Sequence, residues 1–307
     1  MNAAKRILVV VEPDIYPRDV VARGAWLAGL EGGSLHLLLC DADVSALDHG
    51  VFLSNEARDI ARHMRALQEA QIDEFAAIAR DAGASVSTEI VDERPIADAV
   101  LHRAADLQPA YLLKGTRYHS AAERAFFVDT DWQILRSAAC PVWLVKPRTM
   151  RERPYIVAAV DPTHSHDKPA ALDQEIVDHA QRIAGATSGE VHLLHTYHRL
   201  KGIGKEVGRT VKPIEIPIDE ISKRIQAEHR QKLEALAGGN DIDSEHTHQL
   251  PGDARELIPF FARTHGADLV VMGALARWGV RRAVFGSTAE KVLDHLPCDT
   301  LVVRLPD

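Results

Sequence analysis

The stretch Leu269–Glu290, LVVMGALARWGVRRAVFGSTAE, decides the fold class and says where a ligand could sit. Its apolar run Leu269–Met272 predicts a parallel strand buried on both faces, since such strands need no polar alternation. The run stops at Gly273, crosses a loop carrying Arg277, Arg281 and Arg282, and closes on Gly286-Ser287-Thr288. The amphipathic segment Ala289–Leu296 then predicts a helix. A strand, a glycine-punctuated loop and a new helix together make an anion site: glycines let the backbone approach an oxyanion, and the helix start offers unpaired N–H groups. Two residues separate Gly273 from Ala276, and nine separate Ala276 from Gly286-Ser287. No Gly-Lys-Ser/Thr occurs there, so this is not a Walker loop. On spacing alone, an ordinary strand-to-helix loop whose glycines only make turns is an equal alternative.

Strands and helices alternate on either side of this stretch. Apolar or alternating runs at Arg6–Val11, Ser34–Cys40, Ser85–Val91, Ala110–Leu113 and Val142–Val145 predict five strands. Helical periodicity falls at Arg18–Leu30, Asn55–Ala82, Ile96–Ala105 and Trp132–Ser137. The polar segment 147–154, bounded by Pro147 and Pro154, predicts a linker. The pattern then restarts, with strands at Tyr155–Val160, Glu190–Thr196, Ser244–Gln249, Leu269–Met272 and Cys298–Val303, and helices at Asp219–Leu236 and Ala254–Thr264. The expected fold is therefore α/β, with two tandem doubly wound, Rossmann-like sheets of five parallel strands, in residues 1–148 and 149–307. A fifth strand at each sheet edge suggests that the two edges pair, docking the halves as an intramolecular pseudo-dimer.

The repeat also tests the opening motif. Cys298–Val303 follows Cys140–Val145 at a distance of 158 residues, and the same offset maps Gly273 to Gly115, Ala276 to Tyr118, Gly286 to Val128 and Ser287 to Asp129. The first copy thus has bulk and carboxylates, Asp129 and Asp131, where the second has small residues. A carboxylate at a helix start suits the helix dipole but repels a phosphate. Only the second copy is expected to bind an anion.

Composition limits the function classes. The 307 residues carry a net charge of −8, which argues against general nucleic-acid binding. No run approaches the roughly 18 apolar residues of a membrane span, and the first residues lack the pattern of a signal peptide. Three cysteines, far apart in sequence, suit a reducing cytoplasmic setting.

Val157–Asp161, Val270–Gly273 and Gly286–Glu290 together resemble the universal stress protein family, over essentially the whole chain. Thr130-Asp131-Trp132 and Cys140-Pro141-Val142-Trp143 resemble the degenerate first half of enterobacterial tandem members. The family's nucleotide motif, Gly-x2-Gly-x9-Gly-Ser/Thr, is met except at Ala276. The resemblance implies ATP at the carboxyl ends of the strands, with Asp161, Pro162 and Thr163 beside the adenine and main chain near Thr196 lining the base pocket. Met272 and Gly273 would face the ribose and first phosphates, and Gly286, Ser287 and Thr288 would cradle the rest. Mg²⁺ could accompany ATP. Arg277, Arg281 and Arg282 are added on charge alone, because a loop over phosphates wants cations; a solvated basic loop is their bland alternative. If the family glycine has positive φ, Ala276 costs about 1–2 kcal/mol, or about tenfold in affinity.

Sixteen histidines are many for this length. His246 and His248 would share one face of a strand, a start for a zinc site. His164 and His166 share a loop after Asp161, whereas His192 and His195 would face opposite ways. Surface or capping histidines are the alternative for all of them. The insertion Leu200–Asp219 is either a lid or a variable loop. No nucleophile elbow, phosphate-loop lysine or other catalytic constellation stands out, and any ATP turnover is expected to be slow. The expected function is a stress-response sensor or scaffold that binds ATP in its second half. A further homodimer is compatible with it. The rival is an interaction protein that binds a protein or an apolar metabolite between the halves.

Overall fold

The computed structural model describes residues 5–40, 55–92, 95–116, 130–164, 169–198, 218–274 and 287–305, without the side chains of 55–57, 218, 287, 288 and 290. The first half runs β1 (Arg6–Val11), α1 (Pro17–Glu31), β2 (Ser34–Cys40), α2 (Asn55–Asp81), β3 (Ser85–Val91), α3 (Ile96–Leu107), β4 (Tyr111–Gly115), α4 (Thr130–Ser137) and β5 (Val142–Val145). The second half repeats it as β6 (Tyr155–Ala159), α5 (Ala170–Thr187), β7 (Glu190–Tyr197), α6 (Ile218–Gly238), β8 (Thr247–Pro251), α7 (Ala254–Thr264), β9 (Leu269–Gly273), α8 (Ser287–His295) and β10 (Asp299–Val303).

All ten strands join in one sheet of order β3-β2-β1-β4-β5-β10-β9-β6-β7-β8. Within each half every pairing is parallel, and the junction between β5 and β10 is antiparallel, with Trp143 opposite Leu301. The expected edge pairing is therefore observed. Alternate residues of β1 split between two apolar layers: Ile7, Val9 and Val11 pack with α1, α2, α5 and α6, while Leu8 and Val10 share the layer of α3, α4, α7 and α8. Both layers run through both halves, as period-2 strands between two helical faces require.

Three expectations need correction. Helix α5 was not anticipated, although Leu172, Ile176, Val177, Ala180, Ile183 and Ala184 place its buried face at helical spacing. The third strand of the second half starts at Thr247 rather than Ser244. Asp243 O accepts from both His246 N–H and the Thr247 hydroxyl, which holds Ser244–His246 in a 3-10 turn. Helix α8 begins at Ser287, two residues earlier than expected.

The junction between halves buries polar groups as well as apolar ones. Asp299 on β10 accepts from Trp143 Nε1 and from Lys146 N–H, each at 2.9 Å, and lies 2.9 Å from Arg23 Nε of α1. Arg23 also donates to Arg148 O, and its guanidinium lies over Trp26. Trp26 and Tyr111 both pack edge-on against Trp143. Burial pushes the Asp299 carboxyl up to about 6, against the opposing pull of Arg23 and the two hydrogen bonds. The linker after β5 is fastened to the second half by Arg151, which donates to Asp268 at 2.7 Å.

Candidate functional site

Each half has the strand order 3-2-1-4-5, so the chain reverses direction between its first and fourth strands. The crevice beyond the carboxyl ends of those two strands is where doubly wound sheets bind ligands. In the second half these are β6 and β9, with Ala159 beside Met272. Two residues beyond Ala159 the chain reaches Asp161, and Ala159 also pairs with Leu194, which brings Thr196 to the same rim.

Asp161, Pro162 and Thr163 form a tight turn, closed by His164 N–H donating to Asp161 O and leaving His164 at φ 54°. Asp161 N–H donates to Asp173 Oδ1 at 2.9 Å, and the Thr163 hydroxyl donates to Asp161 Oδ1 at 2.6 Å. Asp173 is buried in the first turn of α5, so the start of that helix clamps the turn after β6. Asp161, Pro162, Thr163, Thr196, Met272 and Gly273 thus share one rim. Ser287 and Thr288 open α8, which connects the parallel strands β9 and β10 and so starts on the carboxyl side of β9. Ala276, Arg277, Arg281, Arg282, Gly286 and His166 lie outside the described residues, as does the insertion up to residue 217.

Gly273 has a cause within the fold. A Cβ there would sit 2.7 Å from Leu172 Cδ2 and 3.2 Å from Ile176 Cδ1, so close packing of α5 on β9 requires glycine. Its counterpart Gly115 is pressed by backbone instead, with Ile15 O of the turn before α1 2.4 Å from a would-be Cβ. Both copies keep this glycine for packing, which weakens it as a marker of binding.

The rim of the first half is built differently. Lys114, which takes the place of Met272, extends its ammonium between Glu12 Oε2 and Asp131 Oδ1, at 2.5 Å from each. The Thr116 hydroxyl donates to Asp131 Oδ2 at 2.9 Å. Lys114, Thr116 and Asp131 are all buried. Burial opposes the lysine's charge, but Asp131 and Glu12 outweigh it and hold the ammonium above its ordinary range. Glu12 follows β1 as Asp161 follows β6, and Asp131 stands in the first turn of α4 where α8 has Ala289. Sequence reading missed this cluster. The signal available was one lysine inside the otherwise apolar strand YLLKG.

Histidines gather at two places in the second half. Beside the rim, His195 Nδ1 donates to Val160 O at 3.1 Å, so its Nε2 accepts from His229 Nδ1 at 2.7 Å. Burial lowers both imidazoles' pKa values, which leaves them neutral. At the opposite rim, His192 Nδ1 lies 3.1 Å from His248 Nε2, and its ring packs edge-on to His246 and is stacked on Tyr155. His246 and His248 therefore do face one way, and His192 and His195 face opposite ways. His164 is exposed, 3.8 Å from Asp173.

All three cysteines are free thiols. Burial pushes Cys40 up to about 12 and Cys140 up to about 11, and raises Cys298 as well, so none is primed as a nucleophile. Among the described residues, no helix is long and apolar enough to cross a membrane.

The fold agrees with what the chain is similar to. The model of the universal stress protein family matches residues 3–146 and again 156–304. Universal stress protein E of Salmonella typhi is 28% identical over 316 residues, spanning 100% of this chain and 96% of that protein. The homologue in Haemophilus influenzae is 26% identical over 98% of this chain and 97% of its own length. Among solved structures, a functionally unknown protein from Pseudomonas aeruginosa PAO1 superposes with a TM-score of 0.73 at 26% identity, covering 99% of this chain and 94% of that one. A universal stress protein from Archaeoglobus fulgidus shares the fold with a TM-score of 0.65 at 15% identity, over 99% of this chain and 97% of its own. With two consecutive matches that together take in nearly all of its length, the chain belongs to the universal stress protein family as a tandem member.

Proposed function

We propose that residues 149–307 bind ATP, or a close adenine nucleotide, at the carboxyl rim of β6 and β9, and that residues 1–148 bind none. The observation that carries this is the contrast between the two rims. In the first half, Asp131 puts a carboxylate of the chain's own at the start of α4, and Lys114 neutralises it together with Glu12. Met272 and Ala289 cannot build such a cluster, so the start of α8 can offer its N–H groups to an external anion. Asp161 and the main chain near Thr196 would hold the base, with Pro162 and Thr163 fixing that turn. Met272 and Gly273 would lie under the ribose, and Gly286, Ser287 and Thr288 would take the phosphates. Arg277 would neutralise them, and Mg²⁺ would accompany ATP. The junction between halves is filled by Trp143, Tyr111, Arg23 and Asp299, which is why the ligand is placed at the rim rather than between the halves.

Binding without a catalytic constellation suits a cytoplasmic stress-response sensor or scaffold that turns ATP over slowly. Titration of the full chain with ATP and Mg²⁺ tests the proposal. Gly286→Val, which fills the phosphate cradle, is expected to abolish the heat of binding while leaving the melting temperature within a few degrees. Undiminished binding in that variant would sink the assignment.

A further inference from the structure

The histidine cluster at the amino end of β7 has a built-in control in the other half. His36 of β2 and His192 of β7 occupy the same place in the repeat, each two residues into its strand. In the first half, His36 has a partner on each nitrogen: Ser87 Oγ lies 2.8 Å from Nδ1, and Glu89 Oε2 lies 3.2 Å from Nε2. In the second half the equivalents of Ser87 and Glu89 are His246 and His248, and Ser34 is replaced by Glu190. Two hydrogen-bond partners have become imidazoles, and a carboxylate has been added.

The consequence falls on one atom. His192 is 6% exposed, and its Nδ1 is engaged with His248, but its Nε2 is buried with no hydrogen-bond partner. A buried nitrogen left without a partner is costly. That nitrogen is directed at the site shared with Glu190 Oε2, 3.8 Å away, and His246. One potential ligand atom from each of Glu190, His192 and His246 lies within 4.8 Å of the others.

We propose that Glu190, His192 and His246 form a binding site for Zn²⁺ or a chemically similar divalent transition-metal ion, with His248 as the residue that positions His192. Two imidazoles and a carboxylate are a three-ligand zinc set that leaves a fourth position for water. A tetrahedral ion needs its ligand atoms roughly 3.3 Å apart, given Zn–N and Zn–O bonds of about 2.0–2.1 Å. Exposed Glu190, at 3.8 Å, therefore closes in by about 0.5 Å on a fixed His192, and half-buried His246 by at most about 1.5 Å. His192 is fixed because Tyr155 stacks on its ring at 3.8 Å and its Nδ1 lies 3.1 Å from His248 Nε2; with an ion on Nε2, Nδ1 carries the proton and His248 accepts it. The ion would tie β7 to the turn that leads into β8, the edge strand of the sheet. The site is at the opposite end of the strands from the nucleotide rim and does not depend on it.

The test uses the full chain without a histidine tag, stripped with EDTA and titrated with Co²⁺ and then Zn²⁺. One Co²⁺ per chain is expected, with the intense visible absorption of a tetrahedral site, displaced by one Zn²⁺. Glu190→Gln and His246→Gln, both in accessible positions, are each expected to weaken binding at least tenfold, and the double variant to abolish it. His248→Gln should weaken it about 10- to 100-fold. His36→Gln in the other half should leave affinity unchanged. Zn²⁺ should raise the melting temperature of the native chain but not of the Glu190→Gln/His246→Gln variant. Failure to bind Co²⁺, or equal affinity in that folded double variant, would overturn the proposal.

Discussion

At the carboxyl rim of the first half, a buried lysine holds two carboxylates together; at the same place in the second half, the lysine is Met272 and one carboxylate is Ala289. The strands below these rims have the same order and the same packing. The two halves therefore separate what the fold needs from what a ligand needs. Gly115 and Gly273 are kept in both, the first pressed by the turn that leads into α1 and the second by side chains of α5. Gly286 and Ser287 have no counterpart in the first half, where Val128 and Asp129 stand instead, so this fold does not require them. The same comparison at the opposite rim distinguishes His36, satisfied on both nitrogens, from His192, satisfied on one.

The largest effect should come from breaking the internal cluster. Lys114→Met copies the second half at one position and takes the ammonium away from between Glu12 and Asp131. Removing one partner of a buried ionic network costs about 3–5 kcal/mol, so the denaturant midpoint should fall sharply. Adding Asp131→Ala should restore most of the loss. If Lys114→Met alone is neutral, the cluster is not what holds the first rim closed.

A smaller effect should appear at the junction, where Asp299 stands in the place of Pro141 and again makes the halves unlike. Its carboxyl is raised from 3.8 to about 6, chiefly by burial. The folded state then binds the proton more tightly than the unfolded chain does. Asp299's contribution is thus most favourable below about pH 4 and is lost as pH rises through about 6. A shift of this size corresponds to roughly 3 kcal/mol over that window. Denaturation curves of the native chain and Asp299→Asn between pH 4 and 7 should differ by a slope of that sign, and parallel curves would contradict it. The smallest effect is expected from Ala276→Gly, which completes the motif and should tighten ATP by up to about tenfold. Unchanged affinity would mean that φ at 276 is negative.

Much of the fold was legible in the sequence because parallel strands buried on both faces read as apolar runs, and nine of the ten observed strands begin within one residue of where such a run predicts. The repeat added the β5–β10 pairing, since two equivalent apolar edges need cover. Less legible was what depends on contacts distant in sequence. Asp131 reads as a helix-dipole acid until Lys114 is seen beside it, and His192 reads as a strand residue until His248, 56 residues later, meets its ring. The start of β8 was misplaced because a side-chain hydrogen bond from Thr247 competes locally with the strand. For the site itself, the sequence brought Asp161, Thr196 and Gly273 to one rim, but the packing of Leu172 and Ile176 against Gly273 was not legible in it.

The central claim is that one half is closed by its own charges and the other is open to a nucleotide. Calorimetric titration of the intact, nucleotide-free chain with ATP and Mg²⁺ counts the open rims directly. The expected stoichiometry is one per chain, falling to zero in Gly286→Val and remaining one in Lys114→Met/Asp131→Ala, whose first half still has Tyr118 and Val128 in place of the motif's small residues. Two sites in the native chain, or one that survives Gly286→Val, would contradict it.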